Sequence, residues 1–198
     1  MEIDIIEAGC YYHIFNRGIN RERLFSEEEH YYKFLELCSI HLIHQIDVLS
    51  YCLLPNHFHF LLHILDPLSA VLKLDTQSEK NITKNLSLPL SHLFNAYAQW
   101  FNRKNGRTGG LFQRLFRRKR ITSEEYLKQV IYYIHRNPMH HDLVQHPTGW
   151  LFSSYQIMIS SLPTFLKRDQ VLEWFGGREN FIDYHEINFE IDGEVLEK

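Results

Sequence analysis

Two histidines set two positions apart are the residues of this chain best placed to do chemistry. His57 and His59 follow Pro55-Asn56 and alternate with Phe58 and Phe60. On a β-strand, side chains two apart share a face and lie about 6 to 7 Å from each other, so the imidazoles converge while the phenylalanines enter the core. This pattern predicts that His57 and His59 are two ligands of a metal ion.

A second element, far along the chain, offers the groups that two histidines lack. Tyr133 and Asn137 are four residues apart in the segment YIHRNP and would share one face of a helix. A tyrosine hydroxyl and a side-chain amide beside a bis-histidine metal would form a phosphoryl-transfer centre. The roles of two other histidines stay open. His63 is either a metal ligand or a packing or DNA contact, and His13 either supports a metal-binding histidine or fills the interior.

The elements that must position these residues follow from hydrophobic spacing and turn signals. Strands are predicted at 11–16, Ile46–Leu54, 57–65 and 115–121, the last with its basic residues outward. Helices are predicted after an N-cap at Ser26, at 90–102, from Ser123 to a stop at Pro138, and at 153–160. This order is typical of a split β-α-β arrangement of the α+β class, an antiparallel sheet with helices mainly on one face.

Composition limits the class of protein. The 198 residues, 44% of them hydrophobic, suffice for one sizeable core. No run of about 18 apolar residues predicts a membrane span, and the acidic start, with Glu2, Asp4 and Glu7, has the wrong sign for a secretory signal. Three widely spaced cysteines favour buried free thiols in a reducing compartment. A cytoplasmic protein without a membrane partner is therefore expected.

The charge of the chain is unevenly distributed. The net charge is −3, yet residues 103–120 hold eight cations and no acid, which leaves 13 basic against 24 acidic residues elsewhere, a net −11. Those cations are Arg103, Lys104, Arg107, Arg114, Arg117, Arg118, Lys119 and Arg120. Interleaved Phe112 and Phe116 favour nucleic-acid binding over a merely solvated face, because phosphate contacts depend on local charge.

Several of these segments together resemble the single-tyrosine HUH transposases, and in particular their REP-associated tyrosine transposase branch. The segments are YHIFNRG at 12–18, LPNHFH at 54–59, FNRK at 101–104, GLFQ at 110–113 and YIHRNP at 133–138. The resemblance spans roughly 11–155 and implies a ferredoxin-like fold. It also implies metal-dependent cleavage and rejoining of single-stranded, hairpin-containing DNA in the cytoplasm, on the nucleoid when bound to DNA.

Carried over by position, the resemblance makes Tyr133 the nucleophile of a 5′-phosphotyrosine intermediate. It makes His57, His59 and Asn137 the ligands of Mg²⁺ or Mn²⁺. Tyr133 is preferred over Tyr132 because only Tyr133 lies one helical turn from Asn137. The eight cations of 103–120 are the expected DNA contacts of a monomer or homodimer.

Two other functions are also compatible with these residues. One is a module of the same fold that binds structured single strands without chemistry, and the other is a metalloenzyme in which water attacks. The predicted catalytic domain is 1–155 with an excursion at about 66–89. Residues 156–198 are predicted to form a C-terminal extension with an acidic tail.

Overall fold

In the computed structural model, which describes residues 5–66 and 86–187, four strands form one antiparallel sheet. They are β1 (Tyr11–Arg17), β2 (Ile46–Leu54), β3 (His57–Ile64) and β4 (Arg117–Ile121), in the spatial order β2-β3-β1-β4. Among the described residues, one helix lies between β1 and β2 and another between β3 and β4, which is the ferredoxin-like order. The predicted α+β fold with an antiparallel sheet is confirmed.

Six α-helices accompany the sheet within the described ranges. They are α1 (Glu28–His41), α2 (Leu88–Lys104), α3 (Glu124–His140), α4 (Tyr155–Ile159), α5 (Arg168–Trp174) and α6 (Arg178–Glu186). Short 3₁₀ turns occur at Ile19–Arg21 and Pro147–Gly149.

The two faces of the sheet carry different side chains and different helices. Phe58 of β3 packs against Phe34 of α1, with ring centroids 5.2 Å apart, and against Phe94 of α2 at 5.4 Å. On the opposite face, His59 meets Tyr133 of α3 at 5.6 Å. The helices α1 and α2 share one face as predicted, whereas α3 covers the other, so helices lie on both faces.

The helix that carries Tyr133 begins as predicted and ends later than predicted. The Ser123 hydroxyl accepts a hydrogen bond from the Tyr126 amide, which caps the first turn. The prediction that Pro138 closes the helix is wrong, because α3 continues to His140. Proline removes its own amide donor and crowds the carbonyl four residues before it, but the last turn persists. The His141 amide donates to the Asn137 carbonyl at 3.2 Å, and the Leu143 amide donates to the Pro138 carbonyl at 2.9 Å.

Two other element ends differ from the prediction. β4 starts at Arg117 rather than at 115, because Leu115 has a φ of 60°, which is incompatible with a strand. α1 starts at Glu28 without a side-chain cap, and the Ser26 amide instead donates to Nδ1 of His30 at 3.1 Å.

The described part of the predicted C-terminal extension packs onto the same core. Met158, Val171, Phe175 and Phe181 are buried in the hydrophobic cluster that also contains the sheet residues. A division at 155 stays a prediction. The predicted acidic tail beyond residue 187, and 67–85 of the predicted excursion, lie outside the described residues.

Candidate metal and tyrosine site

The strand β3 places its two histidines side by side, beneath α3. His57 and His59 are 5% and 1% exposed, and their ring centroids are 5.2 Å apart with the rings nearly perpendicular. They share a face because strand side chains alternate, while Phe58 and Phe60 enter the opposite core. The predicted convergence of the imidazoles is therefore present in the fold.

Each of these histidines is held through its Nδ1 atom. Nδ1 of His57 lies 2.7 Å from the Asn56 side-chain oxygen, which can only accept a hydrogen bond, so Nδ1 carries the proton and Nε2 keeps its lone pair. Nδ1 of His59 lies 3.0 Å from Nε2 of His13 on β1. Such partners orient metal-binding histidines in proteins. His13 is wholly buried, as an interior residue would be, and contacts His59; its support of a metal ligand stays a prediction.

Tyr133 faces these histidines, and Tyr132 does not. The Tyr133 ring is 3% exposed and stands perpendicular to the His59 ring at 5.6 Å, with His13 at 6.1 Å. The Tyr132 hydroxyl instead donates to the Ile187 carbonyl at 2.8 Å, on the other side of α3. Of the two adjacent tyrosines, only Tyr133 is brought to the paired histidines.

Asn137, one turn beyond Tyr133, is 1% exposed and adjoins His57. Its amide opposes the fall in the pKa of His57, which places the two side chains in contact. Within strict hydrogen-bond geometry, however, Nε2 of His57 and both amide atoms of Asn137 have no partner among the described residues. A buried polar atom without a partner costs about 1–3 kcal/mol, and a bound cation would satisfy the nitrogen and the amide oxygen.

The donor set therefore fits a divalent ion held by His57, His59 and Asn137. Across 5–66 and 86–187, no three histidine, cysteine or acidic side chains are grouped so that they could hold a metal. An ion here depends on the amide oxygen as its third protein ligand. Imidazole and amide ligands accept several divalent metals, and Mg²⁺ or Mn²⁺ stays a prediction.

Both histidines are neutral at physiological pH, as metal binding requires. Burial lowers the pKa of His57 to about 3, with smaller contributions from His141 and Arg17. Burial also lowers the pKa of His59 well below its ordinary value, with the neighbouring His13 as the next cause. Neither histidine needs to lose a proton before it coordinates a cation.

A cavity of about 120 Å³ opens in front of the histidines, and two of its lining residues were missed in the sequence. Arg17 ends β1 directly opposite His57 in the register of the sheet, and Gln113 lies beside it. Arg117, one of the predicted DNA contacts, also lines this cavity. The sequence did offer one indication of a role for Arg17, because this residue directly precedes the turn at Gly18. Two arginines beside paired histidines suit a phosphate group.

The remaining cations of 103–120 have several different surroundings. Ion pairs join Lys104 to Glu27 and Glu29, Arg107 to Glu22, and Arg120 to Glu7. Cation–π contacts place Arg118 over Phe116 at 5.3 Å and Lys119 over Tyr126 at 5.7 Å. Arg103 and Arg114 are exposed and form no ion pair with the described residues. Surface pairs are worth about 0–1 kcal/mol, so they can exchange for phosphate contacts.

A further basic pocket of about 300 Å³ lies on the other side of His57. Arg21, Arg23 and His141 line it, and the His141 ring is 4.8 Å from the His57 ring. The loop that carries the arginines is fixed by the Leu24 amide, which donates to the Pro55 carbonyl at 2.8 Å. The sequence analysis missed these arginines because it counted charge only along one continuous segment.

Sheet order, paired histidines and the tyrosine helix define the class to which comparisons apply: a ferredoxin-like domain with a bis-histidine and tyrosine site. No family model matches the chain, and no curated protein matches it. Among solved structures, a REP-associated tyrosine transposase bound to a REP hairpin matches with a TM-score of 0.60. That match has 14% sequence identity and covers 83% of this chain and 88% of the other.

The resemblance drawn from the sequence is thereby confirmed at the level of the fold. At this identity the match establishes shared architecture and leaves the roles of Tyr133, His57, His59 and Asn137 as predictions. Among the described helices, none has the length and apolar character needed to cross a membrane.

Proposed function

We propose that the protein is a transposase-like enzyme that cleaves and rejoins single-stranded, hairpin-containing DNA through a 5′-phosphotyrosine on Tyr133. The observation that carries this proposal is the approach of the Tyr133 ring to His59, with Asn137 beside His57. The side chains proposed as nucleophile and metal ligands thus lie near a cavity that Arg17 and Arg117 line. The structural match, itself bound to a REP hairpin, agrees with this substrate class.

In this proposal His57, His59 and Asn137 would hold a divalent cation. When bound, such an ion neutralises charge on the phosphate that is cleaved and favours displacement at phosphorus. Arg17 and Arg117 bind non-bridging oxygens of the strand from the adjoining cavity. Burial of Tyr133 between α3 and the sheet fixes its ring, which limits the orientations from which its oxygen can attack.

The reaction conserves atoms and protons without a further reactant. The Tyr133 oxygen forms a bond to phosphorus, and the bond from phosphorus to the 3′ oxygen of the preceding nucleotide breaks. The phenol releases one proton, and the departing oxygen takes up one to become a free 3′-hydroxyl. Because the phosphotyrosine ester keeps the bond energy, another 3′-hydroxyl can reverse the step and join a new strand.

The test uses a matched pair of adjacent tyrosines. The protein is incubated with a pool of single-stranded hairpins and Mn²⁺, and denaturing electrophoresis reveals any strand attached to protein. We expect an adduct with the parent and with Tyr132→Phe, and none with Tyr133→Phe, which should still bind the hairpins. Addition of EDTA should also prevent the adduct.

Other outcomes separate the competing functions. Hairpin binding without an adduct in the parent would indicate a binding module. Cleaved strands that are free of protein, formed equally by Tyr133→Phe, would indicate attack by water. If the adduct forms, two further measurements complete the description. The mass of the protein in solution distinguishes a monomer from a homodimer, and its location in cells tests association with the nucleoid in the cytoplasm.

A further inference from the structure

A second and larger cavity, of about 480 Å³, lies between one face of α2 and the segment 109–116. It adjoins the cavity at the histidines because Asn16 and Gln113 line both. The Gln113 backbone is fixed at the end of β1, where its amide donates to the Arg17 carbonyl at 2.9 Å. A strand whose phosphate lies at the histidines can therefore extend into this second cavity.

Side-chain amides define the helical wall of the cavity. Asn95, Gln99 and Asn102 line it from successive turns of α2, four and three residues apart. Asn102 is engaged, since its amide nitrogen donates to the Gly109 carbonyl at 2.9 Å and its oxygen accepts from Arg107 at 3.1 Å. Asn95 and Gln99 are exposed and form no hydrogen bond with any described residue. Such amides offer a donor and an acceptor together, the combination that pairs with base edges.

The rest of the lining favours an uncharged planar group. None of the residues that line this cavity is charged, whereas Arg17 and Arg117 line the neighbouring cavity. The half-buried rings of Phe112 and Phe116 contribute to its walls. Aromatic rings stack with bases of single strands. The two adjoining cavities thus divide into one suited to phosphate and one suited to a base.

Leu115 gives a second indication that this cavity has a ligand. Its side chain is 73% exposed at the cavity, and its φ of 60° is a left-handed conformation that leucine rarely adopts. Strained residues of this kind concentrate at ligand-binding positions. An exposed leucine here can cover the edge of a bound planar group.

We infer that the cavity walled by Asn95, Gln99 and Phe116 binds one nucleobase of the single strand, adjacent to the phosphate at the histidines, and selects it through the two amides. This inference rests on the proposed binding of single-stranded DNA. It adds base selection by the protein, separate from the cleavage chemistry.

The experiment measures binding and base preference without cleavage, in a Tyr133→Phe background. A pool of hairpins with randomised single-stranded flanks is selected for binding, the bound strands are sequenced, and affinities are then measured for four oligonucleotides that differ at the preferred position. Gln99→Ala and Asn95→Ala are compared with Gln145→Ala, an exposed amide outside the cavity. All three changes are at exposed positions, so the fold should persist.

We expect the Tyr133→Phe protein to discriminate between bases at one flank position by about 5- to 150-fold, the range for a good amide–base pair. Gln99→Ala or Asn95→Ala should bring that ratio toward one, while Gln145→Ala keeps it. An unchanged preference in both cavity variants, or no preference in the Tyr133→Phe protein, would overturn the inference even if the protein with Tyr133 forms the adduct. Loss of preference in the variants without any adduct from the parent would support the inference and refute the proposed chemistry alone.

Discussion

Two buried polar clusters contain residues of α3, and they differ in whether their atoms have partners. The site cluster consists of His57, His59 and Asn137, where Nε2 of His57 and the Asn137 amide have no hydrogen-bond partner among the described residues. The relay cluster, defined as His135, Ser154 and His185, forms a continuous chain of hydrogen bonds. Both clusters are shielded from solvent, so burial does not explain the difference.

The relay cluster has one consistent arrangement of protons. Nδ1 of His185 donates to the Phe181 carbonyl at 2.8 Å, so its Nε2 accepts from Nδ1 of His135 at 2.9 Å. Nε2 of His135 then accepts from the Ser154 hydroxyl at 2.8 Å, and that hydroxyl accepts from the Tyr51 amide at 2.9 Å. The single hydrogen of Ser154 thus goes to His135 rather than to the Tyr51 carbonyl, which lies 3.1 Å from the same oxygen. The chain links α6, α3 and β2 through neutral groups.

This comparison separates structural polar groups from ligand-binding groups. Native proteins satisfy nearly all their buried polar atoms, and the relay cluster obeys that rule with protein partners alone. The site cluster leaves Nε2 of His57 and the Asn137 amide open to a ligand. The relay cluster then stabilises the fold, whereas the site cluster should cost stability until a cation binds.

The largest expected effect on stability is at the relay cluster. Ser154→Ala leaves both the Tyr51 amide and Nε2 of His135 without a buried partner, and each such group costs about 1–3 kcal/mol. We expect the free energy of unfolding to fall by about 2–4 kcal/mol, as measured by urea denaturation. A decrease of less than about 1 kcal/mol would show that the cluster is not a structural link. Ser161→Ala, at an exposed position beyond the end of α4, is the matched control.

Acid should weaken the relay cluster over a defined pH range. Burial lowers the pKa of His185 to about 4, below its ordinary value of 6.5. As pH falls below 6.5 the unfolded chain takes up a proton that the folded protein refuses, so stability present above pH 6.5 declines until about pH 4. The loss should be on the order of 2–3 kcal/mol.

The measurement compares urea denaturation of the parent and of His185→Gln between pH 7 and pH 4. The slope of stability against pH should be smaller in the variant, which has no imidazole at this position. Equal slopes would assign the acid sensitivity to other groups. His44→Gln serves as the control, because His44 is exposed at the end of α1.

A cation should stabilise the protein through the site cluster. At a free Mn²⁺ concentration a hundred times the dissociation constant, binding to the folded state adds about 2.7 kcal/mol. We expect thermal unfolding with Mn²⁺ to occur at a higher temperature than with EDTA, and His57→Ala to abolish the difference. His63→Ala should retain it, because the His63 ring stacks on Tyr11 at 4.4 Å instead of facing the site. The same shift in parent and His57→Ala would place the ion elsewhere.

The site cluster and Tyr133 could be predicted from the sequence, because each pair of residues lies within a single element. The His57 and His59 spacing, and that of Tyr133 and Asn137, are periodicities of a single strand and a single helix, and the structure brings the four residues together. Local geometry determines such pairs. The prediction that this strand and this helix contact each other depended on the resemblance to a family.

Features that join distant segments could not be predicted in the same way. His135 and His185 are 50 positions apart, and nothing in local spacing indicates that they share a hydrogen bond. Lys104 likewise counts as a free cation in the sequence, yet in the fold it lies beside Glu27 and Glu29. Charge counting cannot distinguish a cation with an acidic neighbour from one open to phosphate, since that depends on tertiary packing.

The smallest expected effect on stability is at Asn137. Without metal, Asn137→Leu replaces two amide atoms that have no hydrogen-bond partner among the described residues by apolar atoms of similar volume, so the free energy of unfolding should rise, by about 1 kcal/mol. Asn16→Leu is the matched control: the Asn16 oxygen accepts from the Arg17 amide at 2.9 Å, so its loss should cost more. Stabilisation by Mn²⁺ should decrease only in Asn137→Leu. If that variant instead loses stability in EDTA as strongly as Asn16→Leu, Asn137 belongs with the relay cluster as a structural residue, and a third metal ligand must be sought elsewhere.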